Sequence, residues 1–557
     1  MTNRFSRLSR RRFLRLAGVG GLILAGANWL AACSPPNPRP VPDHGLAGTG
    51  GAPAGFKPDV EFDLRAAPAE QAIWPGAPTP VWTYQVTHAR LGGDQVQPIP
   101  DSYLGPVIRV RQGQRLRVNF TNNLKDQETI VHWHGLLVPE AMDGHPRYAI
   151  KPGQTYTYEF QVNNRAGTYW FHPHPHGLTG GQVMAGLAGL FIVSDDEEAA
   201  LNLPDGEFDV PLVIQDRTFD ADNRLVYLGQ ALTAEGAAQA VSGGGMGMMG
   251  GGMMGFLGDR VLVNGRPDFT LSAATRAYRL RLLNGSNSRI YKLGWSTGEP
   301  LTVLGTDGGL LAEPVEKPYV MLAPGERVEL WADFSRFTAG TEFSLDSLAF
   351  AGTEDPGGMG GMMGMMGMMG SGLGQGTPLT ILRVKIERPE AETRTLPKTL
   401  SVLPRLDPQT ARNTAQPRET RLQLRNMTWL INGRQFVMDE ALPEETVSAG
   451  ALEIWDIINE RNPGEMMDAN GMAHPIHIHG VQFQVASREV APDLKAGWDT
   501  VSAGFTDEGW KDTVLVMPGE RIRLLVPFGS DPGLFVYHCH ILEHEDQGMM
   551  RNFRVQV

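Results

Sequence analysis

Four His-x-His pairs punctuate this chain: His132-Trp133-His134, His172-Pro173-His174, His477-Ile478-His479 and His538-Cys539-His540. With His474 and His544 they account for ten of the 14 histidines. On a β-strand, alternate side chains share one face, about 6–7 Å apart. Four such strands can therefore aim eight imidazoles into one cleft. Eight nitrogens suit a cluster of about three first-row metal ions with positions left for a substrate, and imidazole favours Cu, Zn, Fe and Ni. Cys539 lies between two of these histidines, so on a strand its sulfur must face the opposite way and serve a second site. His474, His544 and Met549 are the remaining candidates there. Two His, one thiolate and a weak axial thioether form a blue-copper electron-transfer set; zinc would accept Cys and His but cannot change oxidation state. An electron entering that site has a covalent route to the cluster through Cys539 and either neighbouring histidine.

Such a nest needs rigid strands from distant parts of the chain, and the sequence repeats itself accordingly. "PGQTYTYEF" (152–160), "PGERVELWADF" (324–334) and "PGERIRLLVPF" (518–528) each open on a turn dipeptide and continue as an alternating strand. Upstream stand "QRLRVNFTNN", "RAYRLRLLNGSN" and "ALEIWDIINERN"; downstream stand "AGTYWFHPH", "AGTEFSLDS" and "PGLFVYHCH". "HWHG" (132–135) matches "YKLG" (291–294) and "HIHG" (477–480). The middle copy carries Tyr291, Leu293, Leu345 and Ser347 where the outer copies carry histidine. The pattern predicts an all-β chain of three consecutive Greek-key β-sandwich domains, 59–195, 196–392 and 393–557, with metal ligands in the outer two.

The 557 residues include 67 Gly and 40 Pro, a turn-rich composition, and the net charge of −12 argues against a nucleic-acid partner. Residues 1–33 read as a targeting segment. Ser9-Arg10-Arg11-Arg12-Phe13-Leu14-Arg15 resembles a twin-arginine export signal, and Leu30-Ala31-Ala32-Cys33 resembles a bacterial lipobox with Cys33 as the lipidated residue. Residues 34–58 are Pro/Gly-rich and read as a flexible tether. The expectation is an exported periplasmic or cell-envelope monomer, attached to the membrane through Cys33.

With these motifs the region from about 60 to 557 resembles the multicopper oxidases, specifically the three-domain bacterial laccase and cuprous oxidase group. The resemblance implies cupredoxin-like domains and four copper ions. His474, Cys539, His544 and Met549 would hold the type 1 copper, and His132 and His477 the type 2 copper. His134, His172, His174, His479, His538 and His540 would hold the type 3 pair. Four one-electron oxidations would be coupled to reduction of O₂ to two waters. Asp143, nine residues after His134, and Glu545, directly after His544, match acidic positions that relay protons in similar enzymes.

Methionine bears on the donor. "GGGMGMMGGGMMG" (243–255) and "GGMGGMMGMMGMMG" (357–370) hold 12 of the 24 methionines. So much glycine disfavours a helix, which makes these loops of the middle domain. Thioethers select Cu(I), so Met359, Met362, Met363, Met365 and Met366 are candidate ligands for substrate copper. Met472, two residues before His474, matches a substrate-copper methionine of the family, whereas Asn470 stands where an acid is typical. The expected donor is cuprous ion with some phenol oxidation. The alternatives are a general laccase acting on phenols or Mn(II), and a copper-binding sponge with secondary oxidase activity.

Overall fold

The computed structural model describes residues 55–232, 253, 255–354, 373–461 and 471–557. Cys33 and the methionines at 359, 362, 363, 365 and 366 lie outside these residues. Among the described residues no helix is long and apolar enough to cross a membrane.

The chain forms three two-sheet sandwiches. In the first, Thr79–Leu91, Val60–Gln71, Arg115–Asn122 and Thr155–Gln161 make one sheet. The other contains Val96–Gln97, Val107–Arg111, Gly189–Ser194, Gly167–Pro173 and Val131–His134, in that order. Val60–Gln71 runs parallel to Arg115–Asn122, and Val107–Arg111 parallel to Gly189–Ser194. Parallel neighbours require crossover connections, so these strands pass from sheet to sheet in Greek-key fashion. Along Arg115–Asn122 burial alternates strictly, with Leu116, Val118 and Phe120 turned into the core. The third sandwich repeats the plan, with Thr446–Ser448, Met550–Gln556, Gly533–Cys539, His474–Ile478 and Thr513–Val516 as its metal-side sheet.

The strands that carry the histidines depart from alternation. Val131–His134 and Gly167–Pro173 are buried at every position. One face packs Trp133 against Tyr158, Phe160, Phe171 and Phe191 of the sandwich core, and the other face turns His132, His134 and His172 toward the third sandwich. A strand covered on both faces needs apolar or fully partnered side chains throughout.

The middle sandwich differs by more than its missing histidines. In the first copy His132 pairs with His172, and in the third His477 pairs with His538. The corresponding Tyr291 does not face Leu345. Instead Leu345 sits opposite Trp295, and Leu293 opposite Ser347. The slip is by an even number of residues, so the inward and outward faces are kept while the four matched positions no longer converge.

A short helix, Glu140–Asp143, lies against the His132 strand and ends at Gly144, whose φ is 90°. A Cβ there would stand 2.2 Å from the Val131 carbonyl oxygen. Only glycine allows this approach, and the approach brings Asp143 to the histidines.

Candidate metal centre

The eight histidines of the four pairs are all fully buried and converge between the first and third sandwiches. Their outward nitrogens are anchored. His132 Nδ1 donates to the Asp143 carbonyl at 2.6 Å, and His477 Nδ1 to the Asp512 carbonyl at 2.8 Å. His172 Nδ1 donates to the Pro173 carbonyl at 2.9 Å, His538 Nδ1 to the Cys539 carbonyl at 3.1 Å, and His479 Nδ1 to Asp143 Oδ2 at 2.7 Å. Burial holds the imidazoles of His132, His134, His174, His477, His479 and His540 below the usual histidine range, and brings His172 to about 3. A neutral imidazole that donates through Nδ1 has a bare Nε2.

These bare nitrogens face one another. His132 Nε2 lies 3.3 Å from His477 Nε2, and His538 Nε2 lies 3.1 Å from His479 Nε2 and 3.2 Å from His174 Nε2. Lone pairs opposed at this range repel unless a cation lies among them, and a donor set of imidazoles suits copper. Both ring nitrogens of His540, and Nδ1 of His174, have no hydrogen-bond partner among the described residues. The nest thus fits a cluster of metal ions. His134 is turned the other way: its Nε2 donates to Asp512 Oδ1 at 3.0 Å, which leaves Nδ1 facing His172 Nε2 at 3.4 Å.

Cys539 is fully buried and points to the opposite side, as the pleat requires. Its Sγ lies 3.4 Å from His474 Nδ1 and 3.7 Å from His544 Nδ1, and those two nitrogens are 3.3 Å apart. Met549 is fully buried in the same packed group, and its carbonyl accepts the Cys539 amide at 3.1 Å. The Trp429 ring covers His544 at 4.2 Å between centroids and His474 at 5.1 Å. Burial pushes the Cys539 thiol up, so a thiolate here requires a cation beside it. Burial likewise brings His544 to about 3, keeping it neutral as a ligand must be.

The two carboxylates singled out in the sequence both reach the nest. Asp143 holds His479 as above, and its Oδ1 is buried without a hydrogen-bond partner among the described residues; burial, followed by the nearby Glu140, pushes its carboxyl well up. Glu545 Oε1 accepts from Thr179 Oγ1 at 2.7 Å and lies 3.6 Å from His174 Nε2, while Oε2 lies 3.1 Å from His538 Nδ1.

Three contacts escape the sequence reading. Asp512 reaches His134 through its carboxylate and His477 through its carbonyl; its one signal is a lone acid at the head of the apolar strand "DTVLV". Glu354 forms an antiparallel bridge with Met472, and the Ala473 amide donates to Thr353 at 2.8 Å. Met472 itself is 6% exposed. The Met253 carbonyl accepts from His544 Nε2 at 3.1 Å, and Met253 is buried. Glu543 fixes the segment that follows, accepting the Phe256 amide at 3.1 Å. Arg289 then donates to Gly258 at 2.6 Å and to Leu373 at 2.8 Å. Met253 of the first tract thus reaches the Cys539 site, and the segments that follow the two tracts meet at Arg289.

Comparison with known proteins agrees with this geometry. Two multicopper oxidase family profiles match residues 83–198 and 408–557. A laccase from Bacillus stratosphericus is 30% identical over 513 residues, covering 85% of this chain and 90% of the laccase. The McoA multicopper oxidase of the hyperthermophile Aquifex aeolicus superposes with a TM-score of 0.71 at 31% identity, covering 90% of this chain and 97% of McoA. A Campylobacter jejuni multicopper oxidase described as a metallo-oxidase superposes with a TM-score of 0.67 at 26% identity, covering 89% of this chain and 91% of its own.

Proposed function

Because this chain belongs to the multicopper oxidases, copper-dependent oxidoreductases built here from three cupredoxin-like sandwiches, we propose that its principal donor is cuprous ion. The family's cofactor is four coppers, one type 1, one type 2 and two type 3; when bound, they accept single electrons from the donor and pass them to O₂.

The convergence of lone pairs supports the ligand assignment. His474, Cys539, His544 and Met549 would hold the type 1 copper. His132 and His477 would hold the type 2 copper. His174, His479 and His538 would form one half of the type 3 site, and His134, His172 and His540 the other. The chain's own contribution is preorganisation: each anchored Nδ1 fixes a tautomer and a ring plane, so the ligands need no rearrangement. Cys539 joins the two sites covalently, and the hydrogen bond from His538 Nδ1 to the Cys539 carbonyl adds a second link. Asp143 and Glu545 touch different cluster histidines, His479 for the first and His174 and His538 for the second, and are assigned to deliver protons to reduced oxygen.

One observation carries the choice of donor: the described ends of both Met/Gly tracts lie at the type 1 site, one through Met253 on His544 and the other through Glu354 beside Met472. Soft thioethers gather Cu(I), and Glu354, bridged to Met472 through the backbone, is an acid close to that methionine in the fold. Met472→Leu and Glu354→Gln, together with deletion of 357–370, test this. The expected result is a rise of about 10–100-fold in KM for Cu(I), the range seen when a metal site loses a supporting group, with phenol turnover kept or increased. Cu(I) kinetics unchanged in all three proteins would refute the assignment. The similarity to laccases favours a second reading, a general phenol oxidase, and that same outcome would select it.

The reading places the enzyme in the cell envelope, supported by the arginine motif at Ser9–Arg15 and by Leu30-Ala31-Ala32-Cys33. Cys33→Ala is expected to move the protein from the membrane fraction to the soluble fraction on cell fractionation. Retention of the variant in the membrane fraction would remove the lipid anchor from the proposal.

A further inference from the structure

The middle sandwich carries no histidine, yet it supplies a fully partnered, buried cation beside the cluster. Arg327 is fully buried, and each of its five N–H groups has an acceptor. Nε donates to the Thr168 carbonyl of the first sandwich at 3.0 Å. Within the middle sandwich Nη1 donates to the Gly325 carbonyl at 2.8 Å and Nη2 to the Asp307 carbonyl at 3.0 Å. The last two N–H groups take both oxygens of Asp512 in the third sandwich, Oδ1 at 2.8 Å and Oδ2 at 2.5 Å. One guanidinium thus fastens three sandwiches together.

Asp512 passes that constraint to the nest. Its Oδ1 accepts from His134 Nε2 at 3.0 Å and from Thr513 Oγ1 at 2.9 Å, while its backbone carbonyl accepts from His477 Nδ1. The carboxylate decides which tautomer His134 adopts. The imidazoles anchored through Nδ1 offer Nε2 to the cluster; His134, held through Nε2, must offer Nδ1. A carboxylate free to rotate could not enforce this, and a buried carboxylate left unpaired would be costly. Arg327 removes both difficulties through a planar fork that lysine cannot reproduce. Asp307 strengthens the mount by accepting the Arg327 amide at 2.8 Å, and Lys511 lies 3.2 Å from Asp307 and 3.1 Å from Glu326.

Two glycines show that the backbone is cut to fit. A Cβ on Gly135, the glycine of "HWHG", would stand 2.4 Å from Asp512 Oδ2 and 2.8 Å from Arg327 Nη2. A Cβ on Gly325, in the turn that opens the Arg327 strand, would stand 2.9 Å from the His540 ring. The middle sandwich therefore meets the nest twice, as a wall against His540 and as a clamp on Asp512.

We propose that Arg327 and Asp512 are positioning residues for the trinuclear copper site, and that the histidine-free middle sandwich is kept to present the arginine that, through Asp512, holds His134 with Nδ1 toward the metal. This rests on the copper assignment made above. The test compares Arg327→Lys and Asp512→Asn with the wild-type holoenzyme. It measures copper per chain, the blue type 1 band per chain, the type 2 electron paramagnetic resonance spectrum, and copper retention against a chelator. Both variants are expected to keep the full blue band, to show an altered type 2 spectrum, and to lose cluster copper to chelator about 10–100-fold more readily. Four coppers per chain with an unchanged type 2 spectrum would overturn the proposal. So would variants that fail to fold or lose the blue band together with the cluster, since the pair would then have a general structural role. Wild-type protein that holds a blue copper and no cluster copper would instead sink the ligand assignment on which the proposal stands.

Discussion

Cys539→Ser is expected to abolish the blue band and the oxidation of every donor, while leaving the cluster loaded and the copper content lower by one. The sulfur and the flanking imidazoles occupy opposite faces of the strand Gly533–Cys539, so the substitution reaches one site only. Serine matches the shape of cysteine in a fully buried position and leaves the bond from the residue's amide to the Met549 carbonyl intact. It cannot supply a soft thiolate or the charge-transfer transition of one. Donor oxidation should fall to the rate of the uncatalysed reaction. The type 2 electron paramagnetic resonance signal should persist, because His132 and His477 take their anchors from Asp143 and Asp512 and not from this strand. A variant that stays blue, or one that loses the type 2 signal with the blue band, would contradict the division of ligands between the two faces.

Asp143→Asn should slow O₂ reduction by about 10²-fold, the lower end of what a positioned proton donor contributes, and leave electron entry untouched. Asparagine retains an oxygen to accept from His479 Nδ1, and the backbone carbonyl still anchors His132, so the cluster geometry is preserved. What changes is Oδ1, buried and without a hydrogen-bond partner among the described residues, whose place is taken by an amide nitrogen unable to give up a proton. Stopped-flow measurements separate the two halves of the cycle. Reduction of the blue band by donor without O₂ should match wild type, and reoxidation by O₂ should lag. Reoxidation at the wild-type rate would remove Asp143 from proton delivery.

The ligands were legible in the sequence because strand pleating is a period-two rule that acts locally: once His538-Cys539-His540 is placed on a strand, the separation of sulfur from imidazole follows. The three-fold repeat was legible for the same reason, as turns and alternating runs recur at matched positions. Asp143 and Glu545 came only through resemblance, since nothing in their spacing sets them apart among 61 acids. Arg327 and Asp512 were invisible. They lie 185 residues apart, and each reads as an ordinary charge at the head of an apolar strand. Gly135 gains its meaning only from that ion pair. The slipped register of the middle sandwich was equally hidden, because an even slip preserves the hydrophobic pattern from which strands are recognised. Glu354 beside Met472 is a contact between distant parts of the chain, which no local period encodes.

His132 and His477, whose Nε2 atoms stand 3.3 Å apart, are separated by 345 residues of chain. A ribosome working at about 5–20 residues per second makes the second about 20–70 s after the first. Throughout that interval the finished amino-terminal sandwich displays only half a binding surface to passing ions. The cluster can therefore be completed only after both outer sandwiches have been made, however early the first one folds.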